Sequence, residues 1–321
     1  MIIKKQQKIT CNNIEPLEVP CSQNLHKLII TNPSFSGNLD NVIFIRCCLK
    51  DQENESLYTQ NIDEFSKLNK IDLHNIINSV NYKVSKNHDF SIIPYGCKTT
   101  KQICDYEKFK INYITVSIQY KCNLKCIMCA HGRGHAYDNL DDLKYKNCYF
   151  NTLYNIKGLH LDTIQLTERG EPFFYKKETM EYIKSLTSND CKTLYIISNL
   201  TTINENDIRE LYEYSQKNNI KILITASCSG ITNETYKTIH KNNFFNKIVN
   251  NIKLLRELDM LCNINYVIQE ENYFELELLK DFWKDNGIEH EKLTINLKDH
   301  QPLPDSVKMK YIEKYLKEFQ L

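Results

Sequence analysis

From residue 111 onward one pattern repeats and limits the folds open to this chain. Six short β-branched runs stand in succession, and each of the first five is followed by a loop and then by a stretch of helical spacing. The spacing predicts strands over 113–119, 163–167, 193–198, 221–226, 262–268 and 292–297. It predicts helices over 141–156, 177–186, 205–217, 233–240 with 247–258, and 273–286. Strands joined through helices run parallel, and their crossovers are right-handed. Six units rather than eight imply an open, partial (β/α)6 TIM-like barrel, an α/β architecture whose chemistry sits on the loops after the carboxyl ends of the strands.

The first 110 residues are less regular. Strand-like runs cover 26–31, 42–49, 57–59 and 90–93, and helical spacing covers 63–68 and 71–80, with Ile71, Leu73, Ile76 and Ile77 as a buried stripe. They read as a small α+β module without a catalytic motif, suited to substrate recognition. The barrel is expected over 111–297 and a short tail helix over 298–321. A formal net charge of +1 gives no reason to expect nucleic acid. No apolar run reaches the length of a membrane span, and no apolar stretch follows the first lysines, so a cytoplasmic location is expected. In that setting 13 cysteines point to metal or redox chemistry rather than disulfides. Cys148, Cys191 and Cys262 are read as small buried apolar residues.

The loop after the first barrel strand reads YKCNLKCIMC from Tyr120 to Cys129. Cys122, Cys126 and Cys129 are spaced C-x3-C-x2-C, which places three soft ligands on one loop at a strand end. With His131 they would make a Cys3His zinc set. Without a fourth protein ligand they are one short of completing a [4Fe–4S] cluster, whose open iron could take a chelating small molecule. Three later motifs stand at later strand ends: Arg169-Gly170-Glu171-Pro172, Ser198-Asn199, and Ser227-Cys228-Ser229-Gly230. A zinc knuckle would not need them.

In this order the motifs resemble those of the radical S-adenosylmethionine (SAM) superfamily, over residues 114–297. The resemblance implies a [4Fe–4S] cluster on Cys122, Cys126 and Cys129, with SAM chelating the open iron. Reductive cleavage of SAM would give a 5′-deoxyadenosyl radical that abstracts hydrogen from the substrate. It further implies that Gly170 and Glu171 bind the SAM ammonium group, and that Ser198 and Asn199 contact ribose and carboxylate. Ser227 would be a further SAM contact, and Met128 and Val267 would face the adenine. Arg169 replaces the first glycine of the family's GGEP motif, Leu200 stands where glycine is usual, and Ser229 stands where aspartate is usual. No catalytic residue is identified; Arg169 and His131 are the candidates. No cysteine follows Cys262 in the sequence, so a C-terminal SPASM extension is not expected. The expected partners are an electron donor such as flavodoxin or ferredoxin and a peptide, sugar or other small-molecule substrate. The alternative is a non-catalytic iron–sulfur or zinc-binding protein on the same barrel.

Overall fold

The computed structural model describes residues 27–31, 41–46, 58–86, 111–118, 120–129, 142–166 and 170–297. Their strands form a single nine-stranded sheet. In chain order these are β1 (Lys27–Thr31), β2 (Asn41–Arg46), β3 (Tyr58–Asn61), β4 (Tyr113–Ser117), β5 (Leu161–Leu166), β6 (Cys191–Ser198), β7 (Lys221–Ser227), β8 (Leu261–Ile268) and β9 (Leu293–Leu297). The spatial order is β3-β2-β1-β4-β5-β6-β7-β8-β9. From β4 to β9 every neighbouring pair is parallel and follows chain order. The sheet ends on β3 and β9, which do not pair, so it is open rather than closed.

The strands before residue 110 extend this same sheet. Strand β1 lies parallel to β4, with Leu28 opposite Ile114 and Ile30 opposite Val116, and β2 returns antiparallel to β1. The hydrogen-bonded ladder therefore runs straight across the boundary drawn in the sequence.

Alternation along the strands decides which face meets the helices. Ile114, Val116, Ile164, Leu166, Leu194, Ile196, Ile222, Ile224, Ile264 and Tyr266 share one face, and all are fully buried in the main core cluster. The opposite face carries Thr115, Gln165, Tyr195, Thr225, Asn265 and Thr294. Tyr113 and Thr115 hydroxyls both donate to Gln165 Oε1, at 2.5 and 3.1 Å, and the Tyr195 and Thr225 hydroxyls meet at 2.7 Å. These pairs satisfy the polar face where it is covered.

Eight helices accompany the sheet among the described residues: α1 (Ile62–Phe65), α2 (Lys70–Lys86), α3 (Asp142–Asn155), α4 (Lys176–Ile183), α5 (Glu205–Asn218), α6 (Asn233–His240), α7 (Phe245–Glu257) and α8 (Leu276–Asp285). Their ends follow local chemistry. Asn204 and Asp207 form a reciprocal capping box at the start of α5, which closes on left-handed Asn219. Thr232 caps α6 by accepting from the Thr235 amide, and α6 closes on left-handed Lys241. None of the described helices is long and apolar enough to cross a membrane.

Several expectations need correction. In the proposed stripe of α2, Leu73 and Ile77 are buried but Ile71 is 70% exposed, because it sits in the first turn on the side away from the sheet core. The last barrel helix starts as a 3-10 turn, Tyr273–Glu275, before α8 begins. Cys148 and Cys191 are buried as expected, whereas Cys262 is only half-buried. The strand expected over 90–93 and the tail helix over 298–321 lie outside the described residues.

Candidate functional site

The loops after β4, β5, β6, β7 and β8 all leave the same edge of the parallel sheet, so their motifs are brought together by topology. The cysteine loop lies among them. Cys122 is exposed, Cys126 and Cys129 are half-buried, and all three are free thiols. The Cys129 amide donates to the Cys126 carbonyl at 3.1 Å, making the tight turn that carries half-buried Met128. Among the described residues no group of three or more His, Cys, Asp or Glu side chains is gathered closely enough to hold a metal ion. Burial, reinforced by the Cys122 and Cys129 sulfurs, pushes the Cys126 thiol upward. A metal taken up at this loop would therefore have to displace a proton that the protein alone holds firmly.

On one side the loop is braced by the β5 and β6 exits. The Lys121 carbonyl accepts from the Glu171 amide at 2.8 Å. Asn199 Nδ2 reaches Cys122 Sγ at 3.5 Å and Asn123 Oδ1 at 3.2 Å. Asn123 in turn donates to the Thr201 hydroxyl at 2.6 Å. Glu171 is 1% exposed and lies at the centre of this arrangement. Its Oε1 accepts from the Phe173 amide at 3.1 Å and the Ser198 hydroxyl at 2.7 Å, and its Oε2 from the Asn199 amide at 2.7 Å. Burial pushes its carboxyl up to about 7, opposed by those three donors, which favour the charged form. Gly170 enters the motif with a φ of +71°, a left-handed conformation that glycine adopts without steric penalty.

The glycine missing from the third motif has left its backbone behind. Leu200 takes a φ of +58°, in the left-handed region, with its side chain fully buried. Its amide donates to Ser198 Oγ at 2.9 Å, and its carbonyl accepts from Asn251 Nδ2 on α7 at 3.1 Å. Packing and these bonds hold a conformation that costs about 1–2 kcal/mol in a side-chain-bearing residue. Leu200→Gly should relieve that strain and lose the packing, a net destabilisation of roughly 1–3 kcal/mol. Leu200→Ala keeps the strain and loses nearly as much packing, so it should unfold at lower urea than the glycine variant. An alanine variant at least as stable as the glycine one would refute the strain.

On the other side the loop meets the β7 and β8 exits. The Ile127 amide donates to the Ile239 carbonyl at 2.9 Å, and Cys126 Sγ lies 3.1 Å from His240 Nδ1. His240 is 1% exposed, and burial pushes its ring down to about 3, so it is neutral. Its Nε2 accepts from the Ser229 amide at 3.1 Å. The Ser229 hydroxyl accepts from the Val267 amide at 3.0 Å. Asn272 Nδ2 donates to the Ser229 and Val267 carbonyls at 3.0 and 2.9 Å. Buried Glu275 accepts from the Ile231 amide and the Tyr266 hydroxyl, both at 3.0 Å. Gly230 is needed for closeness: a Cβ there would lie 2.8 Å from the Tyr236 amide nitrogen of α6. Half-buried Ser227 ends β7 opposite Asn265.

Thus Met128, Gly170, Glu171, Ser198, Asn199, Ser227 and Val267 all lie at the edge that carries the three cysteines. His131 and Arg169 lie outside the described residues. Sequence reasoning missed Asn123, His240 and Asn272. A histidine in the last turn of a helix reads as a favourable partner of the helix dipole. Nothing in its spacing points to a cysteine 114 positions away.

No family model matches the chain. Its sequence is similar to an uncharacterized protein of Methanocaldococcus jannaschii, at 29% identity over 144 residues, 44% of this chain and 42% of that one. It is also similar to GTP 3′,8-cyclase of Clostridium botulinum strain Okra, at 26% identity over 162 residues, 50% of this chain and 49% of the cyclase. The chain therefore spans less than half the length of these relatives. Similar solved structures include Streptococcus suis SuiB bound to S-adenosylmethionine, at 15% identity and a TM-score of 0.46, covering 65% of this chain and 47% of SuiB. Another is anSMEcpe with bound AdoMet and Cp18Cys peptide, at 17% identity and a TM-score of 0.46, covering 64% of this chain and 59% of that one. The order of the cysteine, GEP, SN and SCSG motifs and their shared edge on an open parallel sheet are consistent with the radical SAM superfamily.

Proposed function

We propose that this chain is an enzyme that binds SAM at a [4Fe–4S] cluster held by Cys122, Cys126 and Cys129 and uses its reductive cleavage to take hydrogen from a polar substrate. The observation that carries this reading is the two-sided bracing of the cysteine loop, with Asn199 on Cys122 and His240 on Cys126. The donor chemistry fits the cluster, since three free thiols share one loop at the strand edge. His240 does not compete as a fourth ligand: its Nε2 already accepts a hydrogen bond, so binding metal through Nδ1 would require an imidazolate. When bound, cluster and SAM together supply a 5′-deoxyadenosyl radical, the difficult part of the chemistry.

The chain's own residues bind and orient. Glu171 holds the β5 and β6 exits in register, leaving the Gly170 backbone, Ser198 and Asn199 to face the SAM amino-acid moiety. Val267 and Met128 supply apolar surface for the adenine. Gln269 supports a ligand there: it is 1% exposed, stands just after β8, and neither amide atom has a hydrogen-bond partner among the described residues. The half-buried Tyr195, Ser227, Asn265 and Thr294 on the face away from the helices favour a polar substrate, peptide or small molecule. His131 and Arg169 are the proposed substrate-side residues, and a small reduced electron carrier such as flavodoxin or ferredoxin is the proposed partner.

Anaerobically reconstituted protein given dithionite and SAM is expected to turn brown and release 5′-deoxyadenosine, measured by chromatography. A colourless, zinc-loaded protein that leaves SAM intact would sink the proposal.

A further inference from the structure

We propose that His240 is a positioning residue for the cluster: its Nδ1–H donates to the sulfur of Cys126 and sets how readily the cluster accepts an electron. This rests on the cluster reading above. The tautomer follows from connectivity. The Ser229 amide can only donate, and it points at Nε2 at 3.1 Å, so Nε2 carries the lone pair. In a neutral ring the proton is then on Nδ1, which faces Cys126 Sγ at 3.1 Å. A doubly protonated ring would set two donors against each other at Ser229.

The ring has little freedom to turn away. It stacks on Tyr236 with centroids 4.3 Å apart, and the backbone beside it is tied to the cysteine loop through Ile127 and Ile239. A hydrogen bond to a ligating sulfur favours the more negative, reduced form of an iron–sulfur centre and so raises its potential. The bond also extends beyond the sulfur. Through Ser229 it reaches the Val267 amide, so the sulfur of Cys126 and the strand end proposed for adenine share one hydrogen-bonded chain. Ligand binding at the β8 exit is thereby placed to influence the cluster without touching it.

Three substitutions separate the two ring nitrogens. His240→Asn places an amide donor near the Nδ1 position and can keep the bond to sulfur. His240→Gln places its polar end near Nε2, so it can keep the Ser229 bond and loses the one to sulfur. His240→Phe keeps the ring stack and loses both. The measurement is an anaerobic redox titration of the reconstituted proteins followed by electron paramagnetic resonance, with iron content determined in parallel. At a poise where half the wild-type cluster is reduced, His240→Gln and His240→Phe should lower the reduced-to-oxidised ratio about tenfold, ~59 mV for one electron. His240→Asn should stay near wild type. Equal potentials in wild type and a fully loaded His240→Gln would overturn the proposal, as would a His240→Asn shift as large as that of His240→Phe. Wild-type protein that takes up no cluster would overturn the underlying reading as well, and shows before any variant is compared. If His240→Phe fails to fold, the Asn and Gln pair still decides the matter.

Discussion

Cys126→Ala is expected to abolish iron–sulfur loading and SAM cleavage together. Three sulfurs are the least that can hold a four-iron cluster with one iron open to SAM, and removing one leaves two. In the proposed site Cys126 is also the ligand that meets His240, so its loss removes the side-chain tie to α6 and leaves the loop held there by the Ile127–Ile239 backbone bond. The brown absorbance of the reconstituted protein, its iron content and its yield of 5′-deoxyadenosine should all fall to background. Cys148→Ala is the matched control. That thiol is fully buried on α3, away from the loop, and its truncation should cost about 1 kcal/mol of stability while leaving iron content unchanged. A Cys126→Ala protein that still carries a full cluster and turns over SAM would mean that the ligands have been misassigned.

Glu171→Ala should be the most damaging change outside the cysteines. It strands the Phe173 amide, the Ser198 hydroxyl and the Asn199 amide in a buried site, and each unsatisfied donor costs about 1–3 kcal/mol. Because Asn199 also contacts Cys122, the damage should reach the metal site as weaker cluster retention and weaker SAM binding. Glu171→Gln is gentler and more informative. Its oxygen can still accept from two of the donors, but its amide nitrogen faces a third.

The wild-type carboxyl also predicts a pH dependence. Its folded pKa, about 7, lies above the ordinary carboxylate value, so the folded state binds the proton more tightly than the unfolded state does. The associated stability is fully present below about pH 4.5 and is lost as pH rises through about 7, on the order of 3 kcal/mol. Urea unfolding of the apo-protein at a series of pH values should show this decline in wild type and a flatter profile in Glu171→Gln. Parallel profiles would place the titrating group elsewhere.

Much of the architecture was legible because it depends on local chemistry. The β-branched runs and helical spacings predicted all six parallel strands, and the bounds of α6 matched residue for residue. The misses have physical causes. Ile71 counts in the stripe expected on α2, but at about 3.6 residues per turn it lies on nearly the opposite side from Leu73, away from the sheet. Strand β1 reads as part of a separate module because nothing local states its partner, and its pairing with β4 joins residues 86 positions apart.

The sequence by itself determined the alternation of strand and helix, the three-thiol loop, and the arrival of the later motifs at strand ends. Each is written in residues close together in the chain. Only the tertiary structure decided how those motifs are held. Glu171 turns its carboxylate onto Phe173, Ser198 and Asn199, Leu200 keeps a glycine-like backbone under a buried side chain, and His240 crosses 114 positions to meet Cys126. Such contacts follow from parallel crossovers that return every loop to one edge of the sheet. Their energies depend on burial, which no stretch of sequence specifies alone.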